Sequence, residues 1–198
     1  MGNERLSAFS DGVIAILITI MVLELKVPHG TDPAALSGLL PIFLTYVLSF
    51  VVIAIYWNNH HHMFYLTDRV TGGILWANLH LLFWLSLMPF VTGWMGENHF
   101  ASLPTALYGA VLMMSGIAYY ILERTIVRSQ GASSRLKVAV GNDAKGKISV
   151  VLYAIAIPLA FVHQLLSDVI YVSVALWWLI PDRRIEALFN QTAGESGL

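Results

Sequence analysis

The sequence predicts an all-α integral membrane protein with six transmembrane helices per subunit. Of its 198 residues, 57% are hydrophobic and only 12% are charged, whereas soluble domains carry about 25% charged residues. The charged residues are also clustered, which leaves charge-free stretches at 33–67, 70–96, 98–122, 148–167 and 169–181. A helix needs roughly 20 apolar residues to cross a bilayer. Four of these stretches meet that length, and the fifth is short.

The first predicted helix covers residues 6–26 and carries a charge near its start. The run FSDGVIAILITIMVLEL places Asp11 immediately before a long apolar segment, with Arg5 just upstream. An ionisable residue at this depth of a membrane is costly and marks a candidate functional position. The reason for its presence has to come from the helices around it.

The remaining five helices follow from the charge-free stretches. They are predicted at 38–60, 70–95, 103–127, 147–166 and 168–181. A loop at 128–146, rich in Gly, Ser and basic residues, separates the first four helices from the last two. The turn HQLLSD makes the last two a tight hairpin. The prediction treats residues 1–198 as one transmembrane domain.

Lysine and arginine predict the orientation, because cytoplasmic loops of membrane proteins are enriched in both residues. With the N-terminus inside, the outer side holds only Lys26. The inner segments hold Arg5, Arg69, Arg124, Arg128, Arg135, Lys137, Lys145, Lys147, Arg183 and Arg184. We therefore expect a multi-pass protein of the cell membrane with both termini in the cytoplasm.

Polar side chains cluster at the cytoplasmic ends of the first three predicted helices. Ser10 and Asp11 lie on the first, the run YWNNHHHMF ends the second, and Asn78 lies on the third. A buried carboxylate needs hydrogen-bond donors, and His60 or Asn78 could supply them. Two interpretations remain open. The cluster is either a hydrogen-bond network that pins three helices together, or the coupling site of an ion- or proton-coupled transporter that uses Asp11 and His60.

Three consecutive histidines do not by themselves predict a metal site. Adjacent residues of a helix project about 100° apart, so His60, His61 and His62 cannot hold one ion together. The chain has no cysteine and no phosphate-binding loop, nucleophile elbow or HExxH motif. We therefore expect no cofactor, no nucleic-acid partner and no enzymatic activity.

The polar residues of the first three helices form spaced motifs. These are Arg5-x₃-Phe9-Ser10-Asp11-Gly12, then Trp57-x₂-His60-x₃-Phe64, and then Asn78 followed by Pro89. Together they resemble the signature of the transmembrane protein 175 family of potassium channels. The last three helices resemble that family only in number and hydropathy. Spacing from Trp57 favours His60, among the three histidines, as the motif residue.

The resemblance implies a cation-conducting pore along a central axis, lined by the first helix of each subunit. A single six-helix repeat is similar to the prokaryotic members, which implies a homotetramer in the lipid bilayer that passes K⁺ and other monovalent cations. The chain contains no TVGYG sequence. Selectivity would therefore rest on side chains instead of a filter of backbone carbonyls.

Helical geometry indicates which side of the first helix could face such an axis. With 100° per residue and Asp11 at zero, Ile16, Thr19 and Leu23 fall between about 80° and 140°, and Ile20 near 180°. Taken alone, this stripe is most simply a packing surface. With the resemblance, it predicts that Ile16, Ile20 and Leu23 line the pore, with Ile16 as the gate. Thr19 would set selectivity and bind K⁺ transiently, while Asp11 would fix the helix to its own subunit.

Overall fold

The computed structural model describes residues 2–29, 31–67, 69–131, 134–141 and 143–180, apart from the side chains at 34–35 and 139–140. These residues form the helices α1 Asn3–Leu23, α2 Pro33–Ser37, α3 Leu40–Tyr65, α4 Gly72–Ser86, α5 Met88–Glu97, α6 Ser102–Gln130, α7 Arg135–Val140, α8 Ala144–Leu159 and α9 Gln164–Leu179. Two residues used above for the orientation, Arg183 and Arg184, lie outside the described part. So does the predicted end of the sixth helix at 181.

Among the described residues, four segments are long and apolar enough to cross a membrane, namely α1, α3, α6 and the range Gly72–Glu97. The last range comprises α4 and α5, which meet at Leu87, just before Pro89. Proline has no backbone N–H to donate, which interrupts the helical ladder at this point. Helices α8 and α9 have 16 residues each and reach about 24 Å at 1.5 Å per residue. The structure thus gives four candidate spans where the sequence predicts six.

Helix boundaries differ from the predicted ones by a few residues. Helix α1 begins at Asn3, and α3 continues to Tyr65 because its histidine-rich end contains no glycine or proline to stop it. The predicted loop at 128–146 contains the end of α6, the start of α8 and the short helix α7. Ser134 caps α7 by accepting a hydrogen bond from the backbone N–H of Lys137 at 3.2 Å.

The helices pack as a bundle with two distinct ends. Helix α1 contacts α3, α4 and α5, whereas α6 contacts α4, α5, α8 and α9. At the N-terminal end, where α1 begins, Asn3 Nδ2 donates to the carbonyls of Phe64 at 2.7 Å and Thr67 at 2.9 Å. At the opposite end, here the far end, Lys26 Nζ lies 2.6 Å from Glu97 Oε1.

Candidate ion pathway and motif network

Three buried polar side chains connect α1, α3 and α4 near the N-terminal end. His60 Nε2 lies 2.8 Å from Asn78 Oδ1, and Asn78 Nδ2 donates to Ser10 Oγ at 2.9 Å. Ser10 Oγ in turn donates to the Leu6 carbonyl, one turn earlier, at 2.9 Å. With the amide in this orientation, His60 carries its proton on Nε2. Its Nδ1 is buried and has no hydrogen-bond partner among the described residues.

This network stabilises the contact of α1 with two other helices. All three side chains are at most 1% exposed. Removing one member would leave a buried donor or acceptor unsatisfied, which costs about 1–3 kcal/mol per group. The polar residues therefore fix both the depth and the rotation of α1.

Asp11 makes a separate contact at the edge of the same region. Its Oδ1 accepts a hydrogen bond from the indole Nε1 of Trp57 at 3.0 Å. The donor is therefore neither His60 nor Asn78, which the sequence suggested. Ser10 lies on the face of α1 that contacts Asn78. Asp11 is one residue later, so its side chain is rotated by about 100° around the helix, to where it contacts Trp57 on α3. Trp57 is 45% exposed, so this hydrogen bond is open to its surroundings.

The other motif residues of α1 point away from the core of the helix bundle. Arg5 and Gly12 are exposed, and Phe9 is half-exposed. A methyl group added at Gly12 would meet nothing within 4 Å. This side of the helix start is therefore open in the part of the chain that the structure describes.

Helix α1 has one buried face and one exposed face. The buried face consists of Leu6, Ser10, Ile14, Leu17 and Met21. Residues i, i+4, i+7 and i+11 share a side of a helix, so this spacing defines a single stripe.

The side chains that the sequence assigns to the pore all lie outside this buried stripe, with Ile20 next to its edge. Ile16 is 57% exposed, Ile20 is 41% exposed and Leu23 is 78% exposed. Thr19 is also exposed. An apolar face of this kind has to be covered by lipid, by water in a pore or by another subunit.

The Thr19 hydroxyl is oriented for accepting. Its Oγ1 donates to the carbonyl of Ile16 at 2.8 Å, which uses its only hydrogen. A hydroxyl oxygen has two lone pairs, and the Thr19 side chain is exposed, so a ligand can reach them. Thr19 therefore presents acceptors to its surroundings, as a cation requires. Ile16 and Leu23 lie about 4.5 and 6 Å away along the helix axis.

Sequence reasoning did not identify a second buried polar chain in the far half of the bundle. Thr92 Oγ1 lies 2.7 Å from Ser49 Oγ, which lies 3.0 Å from Tyr108 Oη. These hydrogen bonds link α5, α3 and α6, and all three side chains are buried. In the sequence, these three residues are visible only as hydroxyl side chains within the charge-free stretches 33–67, 70–96 and 98–122. Their positions show that polar groups lie inside the spans but not which of them form hydrogen bonds with each other.

The fold and the site define a multi-pass membrane protein with a candidate ion pathway along α1. The family described as endosomal/lysosomal potassium channel TMEM175 matches residues 5–89. A protein of Chryseobacterium sp. (strain P1-3), named as a potassium channel, is 55% identical over 186 residues, which are 94% of this chain and 97% of that protein. A potassium channel of Streptomyces collinus (strain DSM 40733 / Tue 365) is 29% identical over 195 residues, 89% of this chain and 91% of the relative.

A solved structure agrees with these relatives. It is the crystal structure of a lysosomal potassium-selective channel TMEM175 homolog from Chamaesiphon minutus. It superposes with a TM-score of 0.80 at 27% identity and covers 90% of this chain and 96% of that one. The chain therefore belongs to the TMEM175 family, as its motifs predict. It is a member of an ion-channel family and not an enzyme.

Proposed function

We propose that this protein is a potassium-permeable cation channel that lets K⁺ move passively down its gradient. One observation carries the proposal: the face of α1 with Ile16, Thr19 and Leu23 is turned away from its own subunit. The opposite face is fixed by packing and by the Ser10 network. Relatives named as potassium channels support K⁺ as the permeating ion.

Assembly completes the pathway. One α1 helix cannot enclose a pore, so we propose a cyclic homotetramer with α1 nearest the axis. Helices α8 and α9 would add two peripheral crossings and bring the total to six. Their length of about 24 Å is accommodated by local thinning of the bilayer. The Lys145 ammonium lies 4.7 Å from the centroid of the Trp178 ring. This pair would anchor α8 and α9 at the membrane–water interface on the side where α1 begins.

The N-terminal end of the bundle would face the cytoplasm of the cell. Among the described residues, Lys26 is the basic residue at the far end, where it pairs with Glu97. The helix ends and loops at the N-terminal end carry Arg5, Arg69, Arg124, Arg128, Arg135, Lys137, Lys145 and Lys147. This asymmetry supports cytoplasmic termini.

The proposed mechanism uses side chains of α1 alone. Four Ile16 side chains around the axis form an apolar constriction, and water leaves such a constriction readily. A cation would have to lose its hydration there, so the ring acts as a gate. Four Thr19 hydroxyls, one turn further on, supply oxygen acceptors, and K⁺ is easier to dehydrate partly than the smaller Na⁺. Ile20 and Leu23 continue the apolar lining.

The geometry favours a channel over a coupled transporter. In a transporter, Asp11 and His60 would have to act as a pair. Asp11 instead accepts from Trp57, and His60 is bonded to Asn78. The two residues belong to separate hydrogen-bonded groups.

The function is tested with the purified protein in liposomes under a K⁺/Na⁺ bi-ionic gradient. We expect passive current with a reversal potential displaced toward the K⁺ equilibrium potential. The substitution Ile16→Asn should increase this current, and the current should not require the gradient of a second, co-transported solute. Transport that saturates and requires a second gradient would contradict the channel and support the transporter.

A further inference from the structure

A deep groove lies between α3 and α9 at the far end of the bundle. Its volume is about 720 Å³, and its walls are mostly apolar, with Leu44 and Leu48 on α3 and Val172 and Leu176 on α9. Its α9 wall runs from the first turn of the helix to Leu179, about 21 Å at 1.5 Å per residue. Half of the hydrocarbon core is about 15 Å thick. The groove is therefore long enough to hold an acyl chain through one leaflet.

The far end of this groove is polar. His99, His163, Gln164 and Asp168 line it. Asp168 Oδ1 is buried and has no hydrogen-bond partner in the described part of the chain. A buried carboxylate oxygen without a partner is stabilised by a donor or a counter-cation.

No lysine or arginine that the structure describes is available for Asp168. Lys26 lies at the far end, but its ammonium is 2.6 Å from Glu97. The other described lysines and arginines belong to segments at the N-terminal end. Among the described residues, then, no lysine or arginine neutralises Asp168, and a cationic group of a bound molecule would complement it.

The mouth of the groove is shaped by an unusual turn between α5 and α6. His99 and Phe100 have φ angles of +51° and +59°, a region that residues with a side chain rarely adopt. The turn is held by a hydrogen bond from Phe100 N–H to the Met95 carbonyl at 3.0 Å. Phe100 packs against the core, and both His99 and Phe100 line the groove. Backbone strain of this kind is common at binding sites.

We propose that this groove binds a phospholipid with a primary-ammonium headgroup, such as phosphatidylethanolamine. The acyl chain lies along α9, the ammonium group donates to Asp168, and the phosphate oxygens accept from His99 and His163. The quaternary ammonium of phosphatidylcholine has no N–H to donate. Phosphatidylglycerol brings a negative phosphate to Asp168 without a cation. The headgroup preference therefore follows from the unpartnered carboxylate.

The test compares lipids of identical acyl chains on the purified full-length protein. We expect phosphatidylethanolamine to raise the thermal unfolding midpoint more than phosphatidylcholine or phosphatidylglycerol and to be retained preferentially in native mass spectra. Asp168→Asn should abolish this preference. The same substitution at exposed Asp32, outside the groove, should preserve it. Equal effects of the ethanolamine and choline lipids on the parent protein would overturn the proposal, even if Asp168→Asn fails to fold.

A second variant distinguishes a lipid from another protein chain in the groove. Val172→Trp should fill the groove and reduce retention of every lipid. Because the chain has no cysteine, Val172→Cys gives a single thiol at this site. Lipid retention without cross-linking between subunits supports the proposal. Efficient disulfide formation between two copies would show that a second subunit covers the groove, and the lipid assignment would then be wrong.

Discussion

Asn78 is the residue that makes the motif network continuous. Its amide oxygen contacts His60, and its amide nitrogen donates to Ser10, so one side chain connects α4 to both α3 and α1. It is fully buried, and water cannot replace it. Asp11 carries the charge that first attracts attention in the sequence, yet its hydrogen bond to Trp57 lies at a more open site.

This difference leads to an ordered prediction for two alanine variants. Asn78→Ala should leave the His60 N–H and the Ser10 lone pairs without partners, at about 1–3 kcal/mol for each group. Asp11→Ala should cost less because water or lipid headgroups can reach the Trp57 indole, and ion preference should stay unchanged. Thermal unfolding in detergent measures both. The control is Asn59→Ala, whose amide donates within its own helix to Ile55. An Asn78→Ala protein as stable as this control would contradict the role given to the network.

The proposed selectivity of the pathway also rests on a single residue, Thr19. Thr19→Ala removes the exposed acceptor and should lower the K⁺ over Na⁺ permeability ratio, whereas Thr19→Ser retains a hydroxyl and should preserve it. The reversal potential under bi-ionic conditions measures this ratio. A ratio that is unchanged in the alanine variant would exclude Thr19 as the selectivity residue.

At the scale of elements, α1 is a helix with two different tasks. One face packs against the subunit, and the other remains exposed along its whole length. A polar substitution should therefore have different effects on the two faces. Ile14 on the buried face and Ile16 on the exposed face allow this comparison with the same residue type.

Isoleucine variants on the two faces test this division. Ile16→Asn should raise conductance, because amide groups hydrate the apolar constriction. Leu23→Ala should have a smaller effect. The matched control is Ile14→Asn, at a position 1% exposed, which should destabilise the protein because a buried amide lacks a partner. Current through reconstituted protein and yield of folded protein are the two measurements. If Ile16→Asn conducts like the parent, the gate lies elsewhere.

Element geometry also explains how far sequence reasoning reached. The period of 100° per residue placed Ile16, Thr19 and Leu23 on one face and away from Asp11, because a regular helix fixes relative directions. The same rule does not supply absolute rotation, so the sequence assigns the buried network to Asp11, whereas its member on α1 is Ser10, one position earlier, and the donor to Asp11 is Trp57. Pro89 marks the break between α4 and α5, and the charge-free stretch 169–181 indicates a short last helix, but hydropathy does not indicate that α8 ends at Leu159. The rotation of α1 and this helix end both depend on tertiary packing.

At the scale of the whole molecule, the proposed pore requires several copies of α1 around one axis. A closed ring of identical subunits satisfies this requirement with one interface type. We expect native mass spectrometry in mild detergent to give a tetramer. A stable monomer or dimer that still conducts after reconstitution would contradict the proposed pore, since one or two α1 helices cannot surround an ion.

The central claim, that the exposed face of α1 lines the ion pathway, is tested most directly by cysteine modification. The natural chain contains no cysteine, so Thr19→Cys introduces the only thiol. The control is Val169→Cys on α9. Val169 is also exposed, but it lies away from the axis in the proposed assembly. We predict that a water-soluble cationic thiol reagent blocks K⁺ current through the Thr19→Cys channel and leaves the Val169→Cys channel unaffected. Complete modification at residue 19, verified by mass, with current unchanged would show that K⁺ does not pass along this face.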